Sequence, residues 1–224
     1  MHNNYIYPSR ARKMTKMTGT DLFRGKPGSP DTESAEMIKK VAERLASART
    51  KGDLGSLLAE EVTQYSAFDL QIIGGRLNKE IENLPSPYRE KIKPYFCEQI
   101  FGAHHRLLLM SRSGEFKRMG SEIRDRDIFQ KFCLMIPEGC FAWDDASERN
   151  PRFRHPKNRL FYYLMAALTM FVLDEPGHPA GMPFPGGFTV EKRKHAYYCL
   201  IRDKEKEVPH SICNFCPALQ KEEY

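Results

Sequence analysis

From Ser34 onward, apolar residues recur at the spacing of a helix. Ile38, Val41, Ala42 and Leu45 fall on one face, and Asp31 to Ser34 ahead of them offer side chains that can cap free amide groups. A second stripe, Leu54, Leu57, Leu58, Val62, Tyr65 and Phe68, follows Asp53 and reads as one helix interrupted at Gly74-Gly75. A short helical piece around Leu77, Ile81 and Leu84 comes next, and Pro85-Ser86-Pro87 marks a turn. Pro94 lies inside the following apolar pattern. Its missing amide proton and its ring predict a break or kink there, before helix resumes through Tyr95, Phe96, Ile100, Leu107 and Leu108. Ile128, Phe129, Phe132, Cys133 and Ile136 predict a further helix ended by Pro137 and Gly139. The longest apolar run, Phe161 to Leu173, predicts a buried helix over about Asn158 to Asp174.

After Pro176 the pattern changes. A segment rich in Pro and Gly leads into two apolar runs, Phe188 to Val190 and Ala196 to Ile201, which predict short strands around the polar turn Glu191 to His195. Helices first and a ribbon last imply a mainly α fold: a helical, bundle-like domain with a small C-terminal β-ribbon that carries cysteines. The expected organisation is a basic, flexible tail over residues 1–33, a helical domain over 34–175, and a loop plus cysteine-containing ribbon over 176–224. No internal repeat and no sustained heptad pattern is present.

With 224 residues the chain is long enough to bury a core without depending on metals or disulfides for the whole. The formal charge of +6 is concentrated at the start. There Arg10, Arg12, Lys13, Lys16, Arg24 and Lys26 stand against Asp21, so the rest is nearly neutral and the charge describes an appendage rather than a binding face. The thirteen residues of Phe161 to Leu173 are too few to cross a bilayer as a helix, so no membrane insertion is expected. Six cysteines without a leading apolar segment point to a reduced, cytoplasmic protein rather than a disulfide framework. Walker phosphate loops, dinucleotide fingerprints and serine nucleophile elbows are absent, which removes several common enzyme classes.

The sharpest chemical signal is Cys199 followed by Cys213-Asn214-Phe215-Cys216. A Cys-x-x-Cys turn brings two sulfurs close enough to share a metal, and zinc takes four tetrahedral thiolate or imidazole ligands. Three cysteines leave one place, for which His178, His195, His210 and Cys140 are candidates. His178 is favoured, because the Gly- and Pro-rich segment around it can fold back on the ribbon, and Cys140 is next. An iron-sulfur centre is the alternative cofactor. A metal-free chain with chance cysteines is the third reading. A dithiol redox role for Cys213 and Cys216 lacks the strand-to-helix setting that lowers a thiol pKa.

Other patterns are weaker. Glu175-Pro176-Gly177-His178 and Glu207-Val208-Pro209-His210 both spell Glu-x-x-His, but Pro and Gly inside them exclude the helix that spacing needs. His104 and His105 are adjacent on a helix and must point apart, one to solvent and one into packing. Trp143-Asp144-Asp145 reads as a turn or cap rather than an acid-base pair. Arg149, Arg152, Arg154, Lys157 and Arg159 form the densest basic stretch outside the tail, a possible clamp for an anionic partner such as RNA, a phosphate-bearing cofactor or an acidic protein.

The sequence His178-Pro179-Ala180-Gly181-Met182-Pro183-Phe184-Pro185-Gly186-Gly187, then Tyr197-Tyr198-Cys199, then Cys213-Asn214-Phe215-Cys216-Pro217, resembles a family of archaeal proteins, domain-of-unknown-function family 2115, also called UPF0305. The resemblance is specific over about residues 174–219 and general before that. It implies a cytoplasmic protein of an archaeon, mainly a methanogen, and carries over no activity and no catalytic residues. The expected function is therefore a zinc-stapled intracellular interaction protein, with an iron-sulfur enzyme or electron carrier of anaerobic metabolism as the alternative and a metal-free structural protein as the third reading.

Overall fold

The first helix begins at Pro30, four residues ahead of the expected Ser34, since proline at a helix start has its φ preset and gives up a donor that would be unpaired anyway. It belongs to a computed structural model that describes residues 30–142 and 155–221. The basic tail over residues 1–29 lies outside the described residues. Helix α1 (Pro30–Ala46) is followed by α2 (Lys51–Val62) and α3 (Ala67–Glu82). The stripe from Leu54 to Phe68 is thus two helices, and the break falls at Ser66 instead of Gly74-Gly75. Both starts are capping boxes: Thr50 with Asp53, and Ser66 with Asp69, each side chain bonded to the other's backbone amide. A well-capped helix absorbs the roughly 1 kcal/mol that each interior glycine costs, so α3 runs through Gly74-Gly75.

Proline fails as a stop signal twice. Pro94 sits inside α4 (Tyr88–Cys97), which continues through a π-helical turn (Glu98–Gly102) into α5 (Ala103–Arg112). Pro137 sits inside α6 (Arg126–Ala142), which also runs past Gly139. In each case proline forgoes one helical bond, and apolar burial on both sides holds the helix: Ile92 and Ile100 around Pro94, Ile136 and Cys140 around Pro137. Helix α7 (Pro156–Ala167) is capped by His155, whose Nδ1 accepts from the Lys157 amide at 3.2 Å. It leads into a second π-helical turn (Leu168–Val172), closed by the Leu173 amide donating to the Leu168 carbonyl at 3.1 Å.

Helix α1 lies along α6, α6 packs on α7, and α2 rests on α5 and on the second π turn. Phe129, Phe132, Phe161 and Tyr163 are fully buried where these helices meet, each contributing roughly 1.5–3 kcal/mol by leaving water. Beyond the helices, β1 (Glu191–Arg193) and β2 (Ala196–Cys199) form an antiparallel hairpin with Glu191 opposite Tyr198. β3 (Leu219–Gln220) adds in parallel, with Leu219 opposite Tyr198. The expected first strand, Phe188 to Val190, is displaced: the turn is only Lys194-His195, with Lys194 at φ 53°. Phe188 and Val190 instead hold the Gly-rich loop, accepting from the Phe184 and Gly181 amides at 2.7 Å each. Met182, Val190, Cys199, Ile212, Cys216 and Ala218 join the same hydrophobic core as the helices. The ribbon is therefore docked on the helices.

Candidate metal centre

Three chain segments converge behind the hairpin. Cys199 ends β2, Cys213 lies in a 3₁₀ turn (Ile212–Phe215) with Cys216 just beyond it, and His178 comes from the loop after the second π turn. The 3₁₀ turn is built by its neighbours: Ser211 caps it, its Oγ accepting from the Cys213 amide at 3.2 Å. The two residues between the cysteines anchor it in opposite senses. Asn214 Nδ2 donates to the Val208 carbonyl at 2.8 Å, and Phe215 packs edge-on against Phe132 of α6 with ring centroids 5.4 Å apart.

His178 Nδ1 stands 3.9 Å from Cys213 Sγ, and its ring meets Phe184 edge-on at 5.7 Å. The neighbouring Gly177 ties this loop to both sides. Its backbone amide lies beside Cys216 and lowers that thiol's pKa, while its carbonyl accepts from Gln99 Nε2 at 2.8 Å. Gln99, only 6% exposed, is the buried polar residue of the described core and belongs to the first π turn. A Cβ on residue 177 would stand 2.6 Å from Ile212 Cδ1 and 3.3 Å from Met170 Sδ, so glycine is what lets the loop approach the 3₁₀ turn.

Burial governs the electrostatics. It pushes the Cys213 thiol up to about 12 and raises Cys199 and Cys216 as well. Opposing this, the backbone donors of Ile201 and Arg202 beside Cys199, those of Ala218 and Gly177 beside Cys216, and the Ser211 side chain beside Cys213 pull the thiols down. Each of these donors favours the thiolate. Cys199, Cys213 and Cys216 also sense one another's charge, so three thiolates could persist together only with a cation among them. Burial lowers His178 to about 4, which keeps its imidazole neutral and its lone pair free at neutral pH.

Among the described residues, no three His, Cys, Asp or Glu side chains already stand in an arrangement that would hold a metal ion. The 3.9 Å Cys213–His178 contact compares with an S···N edge of ~3.6 Å for tetrahedral zinc with ligands at ~2.3 and ~2.05 Å. A tenths-of-an-ångström closure separates this pair from ligand geometry.

The remaining candidates sit elsewhere. Cys140 is buried in α6, pushed up to about 12 by desolvation, with Arg159 and Tyr65 as its charged or titratable neighbours. His195 is exposed in the hairpin turn, and His210 Nε2 faces Glu138 at 3.6 Å. The Glu-x-x-His pairs diverge, for Glu175 joins Arg106 while His178 joins Cys213. His104 tilts against Phe161 and is half-buried, whereas His105 is exposed. Of the basic stretch, Arg149, Arg152 and Arg154 lie outside the described residues, as does Trp143-Asp144-Asp145. Lys157 is turned inward, its Nζ donating to the Gln64 carbonyl at 3.1 Å, 3.5 Å from Asp69 and over the Tyr65 ring. Arg159 lies over Tyr162, 5.7 Å from its centroid. Of these two, Lys157 is held by Gln64 and Asp69, and Arg159 lies along its own helix. Sequence reasoning missed Gln99, Gly177 and Ser211; a serine two residues before a cysteine is the one legible signal among them.

A family profile described as "Uncharacterized protein conserved in archaea (DUF2115)" matches residues 50–221. A UPF0305 protein of Methanopyrus kandleri is 32% identical over 142 residues, covering 62% of this chain and 88% of its own length. A UPF0305 protein of Methanocaldococcus jannaschii is 25% identical over 168 residues, 73% of this chain and 92% of that one. A shorter match of 48% identity over 50 residues links a UPF0305 protein of Methanothermobacter thermautotrophicus, covering 22% of this chain and 32% of the relative. No solved structure matches at a significant level.

Proposed function

Since the chain belongs to the DUF2115 family of archaeal proteins, we propose that it is a zinc-stapled intracellular interaction protein with Cys199, Cys213, Cys216 and His178 as the ligand set. The observation that carries this reading is the approach of a neutral, buried imidazole to one of three mutually sensing thiols, at 3.9 Å. Backbone donors beside Cys199 and Cys216, which favour their thiolates, supply the second layer that zinc thiolates use. A nearby imidazole favours zinc over an iron-sulfur cluster, whose usual ligands are cysteines throughout. Zinc would supply the positive charge that lets three buried thiols ionise together, and would bind the loop, the hairpin and the 3₁₀ turn to one point.

The six cysteines are all unpaired, which suits a reducing compartment. No helix among the described residues is long and apolar enough to cross a membrane. The test is purification under strict anaerobiosis followed by metal analysis and a visible spectrum. About one zinc per chain without colour is expected, falling by most of its amount in Cys213→Ser and Cys216→Ser. Iron with acid-labile sulfide, or a metal-free chain, would contradict the proposal.

A further inference from the structure

Both π-helical turns open onto the same cleft. Glu98 and Gln99 line it from the first turn, Thr169 from the second, and Glu175 and Tyr197 from the loop and the hairpin, with Arg106 beside them. A π turn adds a residue to a helical turn and shifts the side chains that follow, a distortion that recurs at functional sites. Here two such turns on packed helices face one volume of about 90 Å³, several times the ~10–15 Å³ that a single water requires.

The chemistry of the lining is lopsided. Thr169 uses its hydroxyl proton on the Ala166 and Met165 carbonyls, at 3.1 and 3.3 Å, which leaves its lone pairs as acceptors. Gln99 commits Nε2 to Gly177, and its amide oxygen accepts no hydrogen bond among the described residues. Two carboxylates, Glu98 and Glu175, stand against one guanidinium, and that guanidinium is already engaged: Arg106 Nη1 spans both Glu175 oxygens at 3.0 and 2.9 Å. The cleft is rich in acceptors, its lining holds two carboxylates to one guanidinium, and Tyr197 forms an aromatic wall with Lys192 Nζ 5.3 Å from the ring centroid. A ligand suited to this lining brings several N–H donors and a positive charge.

We propose that this cleft binds a small organic ammonium, a primary amine in its protonated form, with Glu98 as the counter-ion and Thr169 and Gln99 as acceptors for its remaining protons. The site does not depend on the zinc reading, since none of these side chains belongs to the ligand set. The experiment is a titration of the full chain with n-propylammonium, followed by amide NMR shifts, with sodium acetate and magnesium chloride as parallel titrants. Saturable shifts confined to the two π turns and the 175–177 loop are expected for the amine and neither control. Glu98→Gln should weaken binding by about 2- to 5-fold, the range for an exposed ion pair, and Thr169→Val should weaken it as well. Circular dichroism of each variant establishes that it is folded. The proposal is overturned by an absence of saturation with the amine, by an equal response to acetate or magnesium, or by unchanged binding in folded Glu98→Gln.

Discussion

At the scale of single residues, Gly177 joins more of the account than any cysteine does, because its amide serves Cys216, its carbonyl serves Gln99 and its missing side chain admits Ile212. Gly177→Ala should overpack this junction by about 1–3 kcal/mol and weaken zinc retention, measurable by thermal melting and by competition with a chelator. The thiols give a pH signature. Cys213 is pushed up to about 12 and its two partners are raised, so all three are protonated at neutral pH until metal displaces their protons. Zinc affinity should therefore fall as pH falls, by up to roughly 1,000-fold per unit if three protons are displaced. His178, lowered to about 4, contributes no further proton competition until the pH nears that value. A pH-independent affinity between 6 and 8 would refute the three-thiol assignment. Cysteine spacing made the thiols legible in the sequence, and the Gly- and Pro-rich loop made His178 legible. Gln99 was not, because a lone glutamine in a helical stripe carries no signal until a carbonyl 78 positions away meets it.

At the scale of elements, the apolar stripes announce most helices, and Pro85-Ser86-Pro87 does mark a turn, but Gly74-Gly75, Pro94 and Pro137 do not end theirs. Ser66 and Asp69 spell a capping box that outweighs Gly74-Gly75 as a boundary signal. Ser66→Ala and Thr50→Ala should each cost about 1 kcal/mol, read as a lowered melting temperature with the fold retained. Gly55→Ala tests the opposite intuition. Alanine favours helix by about 1 kcal/mol, yet a Cβ there would overlap the Phe116 ring, so a net loss of stability is expected. The two π turns were invisible in sequence, since a widened turn depends on tertiary packing and leaves the apolar spacing nearly intact. Strand β3 was equally hidden: two residues that pair with Tyr198 and Cys199 are too few for an alternating pattern.

At the scale of the molecule, the helices and the ribbon share one core, with Phe215 on Phe132 and the Tyr163 hydroxyl donating to the His210 carbonyl at 3.0 Å. The proposed ligands all lie in the loop, the hairpin and the 3₁₀ turn, so metal removal should loosen the ribbon first and leave the helices folded. Amide exchange over residues 175–221 is expected to quicken on chelation, while α1 and α6, paired along their lengths, keep their protection. Uniform loss across the chain would instead make the metal a condition for the whole fold. The most direct test of the central claim is X-ray absorption at the zinc edge on anaerobically purified protein. Three sulfurs at ~2.3 Å and one nitrogen at ~2.05 Å are expected, becoming two sulfurs in Cys199→Ser. Four sulfurs, a shell of oxygens, or no zinc at all would contradict it.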